Sequence, residues 1–319
     1  MKLRRPAVRS PDMPRTRFTP DTGLTVRMTA VMLLLGGLFV ALVVLAVYFA
    51  GGALGFLIGV AGIGFAFFQW WRSDTVAMRS MNAYEVSPEE APELHGIIDR
   101  LCVLADMPKP RVAIADTDLP NAFATGRSPD RSVVCVTTGI LRTINAEELE
   151  GVLAHELSHV AHRDVLVMTV AASAGITAGM VTRGAQYGAI GGFGRSRNNN
   201  NDNGGAAALV LMLVVSLVVY AVSFLFLRLL SRYRELCADR AGAYLTQKPS
   251  ALASALTKIS GRMDAVPEQD LRAAKPMNAF FIAPAVRGIS MGTLTATHPP
   301  LEQRLDQLAK IAASLGQNL

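Results

Sequence analysis

Between Met28 and Trp71 the chain carries no charged side chain. A soluble domain rarely buries so long an uninterrupted apolar run, whereas a helix that crosses a bilayer needs about 20 such residues. The run is therefore long enough for two spans, and the Gly51-Gly52 pair within it predicts the turn between them. Backbone polar groups in lipid must be satisfied within the segment, so both spans are expected as helices. Arg27 precedes the run and Arg72 follows it, which places both ends on the basic, cytoplasmic side. Trp70 and Trp71 suit the headgroup zone.

A second apolar pair lies further on. Residues 165–189 form one expected span, with Arg183 near its far end, and Ala206 to Leu227 form the other. Between them, 194–205 is rich in Asn, Gly and Arg and reads as a loop. The composition agrees with this division: 51% of the 319 residues are hydrophobic and only 18% charged, too few charges for a wholly soluble chain. The formal charge of +6 does not call for nucleic acid as a partner, because much of the excess sits at Lys2, Arg4, Arg5, Arg9, Arg15, Arg17 and Arg27. With prolines interspersed, that stretch reads as a disordered basic tail able to touch anionic lipid heads. No cleavable signal peptide is expected, since the first apolar run is too long and lacks a small-residue cleavage site. Cys102, Cys135 and Cys237 show neither pairing nor metal-ligand spacing. The chain thus divides into a tail (1–27), a transmembrane hairpin (28–72), a first soluble part (73–164), a second hairpin (165–227) and a second soluble part (228–319).

Within the first soluble part, Pro88 to Ala105 has helical apolar spacing, and Arg111 to Ala115 and Ser132 to Thr137 read as β-branched strands. Residues 119–126 predict a strand with irregular ends. Asn145, with Glu148 three residues later, predicts a capping box at the start of a helix. That helix carries His155-Glu156-Leu157-Ser158-His159. Histidines at i and i+4 share one face and can share one zinc ion. Glu156, beside the first of them, can take a proton from a metal-activated water and pass it to a leaving amine. His162 lies on the same face but about 10.5 Å along the axis from His155, too far to join one ion on an unbroken helix. The third ligand is then sought at Glu235 or Asp239, one turn apart just after the fourth span; composition alone does not choose between them. Two spans between His159 and Glu235 return the chain to the same side of the membrane, as a shared metal requires.

Four segments together resemble the HtpX-type integral-membrane zinc metallopeptidases, relatives of the CAAX prenyl proteases. They are Asn121 to Gly126, the run from His155 through His162-Arg163-Asp164, Ser231 to Asp239, and Thr297-His298-Pro299-Pro300 with Arg304. The resemblance covers the chain from about Thr25 onward. It implies an α-helical membrane protein with four transmembrane helices and a mostly α, small-sheet α+β zincin-like catalytic domain. It implies one Zn2+ held by His155, His159 and Glu235, with Glu156 as general base and Asp239 supporting a ligand histidine. It further implies that Asn121, Ala122, Phe123 and Ala124 bind extended substrate by strand addition, that His298 stabilises the oxyanion, and that Arg304 braces the carboxylates. The implied substrates are misfolded or damaged membrane proteins, or peptides from them. The implied setting is the lipid bilayer of the bacterial inner membrane, with cytoplasmic proteolysis and membrane quality-control partners. The other readings are a dedicated processing peptidase for one lipidated or membrane substrate, and a non-catalytic metal-binding scaffold.

Overall fold

The structure, a computed structural model, describes residues 18, 21–50, 52–164, 167, 203–264 and 298–319. The charge-free run folds into two helices, α1 (Thr22–Ala50) and α2 (Gly52–Trp71), packed on each other. Gly52 begins α2 at φ +45°, a left-handed conformation that glycine adopts without Cβ strain. After α2 come α3 (Ser73–Ser80), β1 (Ala83–Glu85), α4 (Pro92–Ala105), β2 (Arg111–Ala115), β3 (Ala122–Gly126), β4 (Ser132–Thr137), α5 (Thr138–Thr143) and α6 (Ala146–His162). Later in the chain lie α7 (Asn203–Thr246), α8 (Pro249–Asp264) and α9 (Leu301–Ser314).

The sheet runs β1-β2-β4-β3 and is mixed: β2 and β4 are parallel, while β1 and β3 are antiparallel to their neighbours. β4 is buried along its whole length, as expected of a central strand covered on both faces. Its odd residues Val133 and Cys135 cluster with Phe123 and with Ala77 of α3. Its even residues Val134 and Val136 join Ala122, Ala124 and the helical core of α4, α6, α8 and α9. α6 is the axis of that core, with Val152, Leu153 and Leu157 fully buried and α7, α8 and β3 packed around it.

The strands expected over 111–115 and 132–137 have those bounds, and the helix expected over 88–105 begins later, at Pro92. The stretch 119–126 is regular only from Ala122. Two differences are larger. The span at 206–227 and the charged stretch after it are one unbroken helix, α7. Asn203 to Gly205, read as the end of a loop, form its first turn; Asn and Gly are residue types that start helices. The rest of that loop and the span expected at 165–189 lie outside the described residues, apart from Val167. Among the described residues, Thr22–Leu45 in α1 and Val214–Thr246 in α7 are long and apolar enough to cross a membrane. An apolar seam of Leu24, Met28, Val31, Leu35 and Leu230 joins α1 to α7. Cys102 and Cys135 are buried free thiols, and burial pushes them up to about 11 and about 12.

Candidate metal centre and active site

The site begins with the local chemistry of α6. Asn145 Oδ1 accepts the Glu148 amide and Glu148 Oε2 accepts the Asn145 amide, both at 2.9 Å, closing the capping box. Lys258 and Ser254 of α8 add an ion pair and a hydrogen bond to the same carboxylate. Burial works to raise the Glu148 carboxyl, but these partners outweigh it and hold it below its ordinary value. From this fixed start, three turns bring His155, Glu156 and His159 to one face, all buried. The helix ends at Arg163, in the left-handed region at φ 56°. That bend turns the chain back, so that Asp164 Oδ2 lies 2.7 Å from His159 Nδ1.

α7 crosses α6 at the same level. Gly242 allows the approach: a Cβ there would stand 2.9 Å from the backbone nitrogen of His155. Glu235 then faces both histidines. Its Oε2 is 3.5 Å from His155 Nε2, its Oε1 is 3.6 Å from His159 Nε2, and the two Nε2 atoms are 3.2 Å apart. Ligands at about 2.0–2.2 Å in a tetrahedron stand about 3.3–3.6 Å from one another. The three side chains could therefore hold one divalent ion without rearrangement, and among the described residues they form the one such cluster. Asp239 is not in it.

Each imidazole is backed by a carboxylate. Asp239 Oδ1 lies 2.9 Å from His155 Nδ1, and Arg304 grips Asp239 through two bonds of 2.7 Å. Asp164 does the same for His159, with Arg234 Nε 3.6 Å from Asp164 and Arg234 Nη2 3.1 Å from Glu235. A carboxylate only accepts, so each Nδ1 faces its carboxylate as the donor side of the ring, which leaves Nε2 as the nitrogen available to an ion. Burial disfavours protonation of His155, but Asp239 and Glu235 more than offset it and raise its pKa to about 9 in the metal-free site. Arg304, which burial would depress, is held up by Asp239.

Glu156 sits on the other side of the pair. Burial pushes its carboxyl up, against the two histidines. Its Oε2 accepts the Ala124 amide of β3 at 3.0 Å. β3 is an edge strand, and antiparallel pairing alternates residues that bond inward with residues that do not. Ala122, Ala124 and Gly126 thus direct their backbone groups away from β4. Phe123 pairs inward with Cys135, and its side chain joins the α3 cluster. Asn121 precedes the strand; its carbonyl accepts the Thr137 amide and its own amide donates to the Thr137 hydroxyl. All four of Asn121, Ala122, Phe123 and Ala124 are buried. His298, just before α9, places Nδ1 3.2 Å from Glu235 Oε2, and neither of its buried ring nitrogens makes a hydrogen bond among the described residues. His162 turns away, with Nδ1 2.8 Å from the Ser158 carbonyl.

Asp164 and Arg234 carry no expectation from sequence, although both lie within segments that the resemblance rests on. Asp164 follows a helix end whose left-handed residue is an arginine, and Arg234 is one of several arginines in its stretch; neither pattern signals a contact.

Residues 88–312 match peptidase family M48. A protein named "Protease HtpX homolog 1" from Streptomyces coelicolor is 50% identical over 304 residues, covering 95% of this chain and 97% of its own. "Protease HtpX homolog" from Moorella thermoacetica is 47% identical over 304 residues, covering 93% and 97%. Among solved structures, that of S. mikatae Ste24p is similar with a TM-score of 0.49 at 15% identity, over 90% of this chain and 66% of that one.

Proposed function

The chain belongs to peptidase family M48 and is a metalloprotease, and from that premise we propose that it is a zinc-dependent membrane endopeptidase acting on misfolded or damaged membrane proteins at the cytoplasmic face. The observation that carries the reading is the convergence on one buried point of His155, His159 and Glu235, with Glu156 alongside and hydrogen-bonded to an edge strand. Two imidazole nitrogens and one carboxylate are a donor set that catalytic zinc takes, leaving a position open. When bound there, zinc polarises a carbonyl and makes water nucleophilic near neutral pH.

The chain's own residues do the rest. Substrate pairs as an extended strand along β3, offering its backbone to Ala122 and to the Ala124 carbonyl, the Ala124 amide being held by Glu156, a mode that needs no particular side chains. Glu156 takes the proton of the attacking water and delivers it to the leaving amine. His298, with a free buried nitrogen beside Glu235, donates to the oxygen on which charge develops. Asp239 with Arg304, and Asp164 with Arg234, hold the two imidazoles in one tautomer and orientation. A pure scaffold would have no use for a carboxylate such as Glu156 beside an incomplete ligand set.

The placement at the bilayer is part of the proposal. α2 and the run at 165–189 complete a set of four spans with α1 and the apolar part of α7. The polar remainder forms one catalytic unit from 73–164 and 228–319, lying in the cytoplasm of a bacterial cell beneath the inner membrane. The basic residues flanking the first hairpin support that orientation. Glu156→Gln should leave bound zinc at the wild-type level by metal analysis while cleavage of a membrane-protein substrate falls about 100- to 10,000-fold. Cleavage retained near the wild-type rate would remove Glu156 from its role.

A further inference from the structure

The turns of α7 that face the metal cluster with Glu235 and Asp239 carry Tyr233, Cys237 and Arg240 on their opposite side. That opposite side meets the start of α1, and Asp21 is its common partner. Asp21 Oδ1 accepts the Leu24 amide at 2.8 Å, capping α1, and the Tyr233 hydroxyl is 3.5 Å from the same oxygen. Asp21 Oδ2 lies 3.1 Å from Cys237 Sγ and forms an ion pair with Arg240. Arg27, further along α1, stacks on the Tyr233 ring at 4.0 Å. The helices are so close that a Cβ at Gly23 would come within 2.7 Å of the Tyr233 hydroxyl.

An anchor helix needs none of this. The apolar seam between α1 and α7 holds the two together, but apolar contact is non-directional and does not fix how α7 is rotated about its axis. A metal site does require that rotation to be fixed, because ligand atoms must be held to about 0.5 Å. Hydrogen bonds and an ion pair add direction from the α1 side, opposite the Arg304–Asp239 clamp and the Gly242 contact on the other face, and they act on the same two turns that present the metal-facing carboxylates.

We propose that Asp21 is a positioning residue for the metal site: by gripping Arg240, Cys237 and Tyr233 from the far side of α7, it sets the rotation that presents Glu235 and Asp239 and makes the first membrane helix part of the active site. The inference rests on the reading of His155, His159 and Glu235 as metal ligands. The test uses the full chain in detergent, loaded with zinc, and follows zinc release to an excess of a chromogenic chelator. Asp21→Asn removes the charge yet keeps a good helix cap; Arg240→Gln breaks the same pair from the other side. Each should release zinc about tenfold faster than wild type, the low end for groups that act through a ligand. The double variant should be no faster than either single one, as expected for two halves of one interaction. In both variants kcat should fall with KM little changed, and the melting temperature of the zinc-free protein should stay at the wild-type value. Release at the wild-type rate in both single variants overturns the proposal. A drop in the zinc-free melting temperature that matches the faster release overturns it as well, since that is general loosening. Zinc retained by Glu235→Ala as firmly as by wild type would overturn the metal-site reading itself, and the proposal with it.

Discussion

At the scale of single residues, the site consists of two similar arms. Arg304 and Asp239 hold His155, and Arg234 and Asp164 hold His159. An imidazole without its carboxylate can rotate and can protonate the wrong nitrogen. Asp164→Ala should therefore weaken zinc binding about 10- to 100-fold in a chelator competition, with the protein still folded by circular dichroism. Unchanged affinity would show that His159 is oriented by something else. The sequence made the His155, Glu156 and His159 part of this site legible because their spacing is local to one helix. Glu235 could be told from Asp239 only through a family resemblance, since both sit on one face of one helix. Asp164 was beyond reach. Its contact depends on the backbone of Arg163 leaving the helix in a left-handed turn, and arginine gives no sign of such a turn.

At the scale of elements, α6 is fixed at its start by the Asn145–Glu148 box and at its middle by Gly242 of α7. Glu148→Gln keeps the geometry of the box but loses the charge facing Lys258. The Glu148 carboxyl is depressed in the folded protein, so its contribution is complete above the ordinary carboxylate range and disappears as pH falls through its lowered value. Wild type should exceed the variant by about 1 kcal/mol or less at neutral pH, the pair being half exposed on the lysine side, and the gap should close in acid. Denaturant melts across pH would show it; a gap that survives at low pH would contradict the assignment. Gly242→Ala sets two effects against each other. Alanine favours the helix by about 1 kcal/mol, but the new methyl meets backbone atoms of α6 that cannot rotate aside, an overpacking cost of about 1–3 kcal/mol. The clash should win, giving a lower melting temperature and faster zinc loss; a more stable variant would mean that α6 and α7 can part freely. β4 is readable because its β-branched residues are buried on both faces, and β2 because Val112 and Ile114 alternate with smaller buried residues. β1 is not: Ala83, Tyr84 and Glu85 have no pattern of their own, and β2 alone makes them a strand. Hydropathy changes sharply after Leu227 while α7 does not, so composition marks a boundary there that the backbone lacks.

At the scale of the whole molecule, α1 and α2 turn large apolar side chains outward, with Leu33, Phe56 and Ile63 each more than 60% exposed. A contiguous band of that kind suits lipid and is a liability in water. The hairpin is also held at both ends to the polar part of the protein. Asp21 binds α7 where α1 begins, and where α2 ends Arg127, just past β3, stacks on Trp71 at 3.7 Å and donates to its carbonyl at 3.3 Å. On the proposed placement, with Trp71 at the headgroup level, the Arg127 contact would pin the Gly126 end of β3 at one height above the lipid. The protein would then work as a ruler. A polypeptide leaving the bilayer reaches the cleft only after a set length of extended chain, about 3.3 Å per residue. Fragments cut from unrelated membrane proteins should accordingly share a length measured from the membrane boundary more than any sequence around the cut. Mass spectrometry of the products from two such substrates in liposomes would show it, and cut sites scattered at all distances would mean that the height is not held.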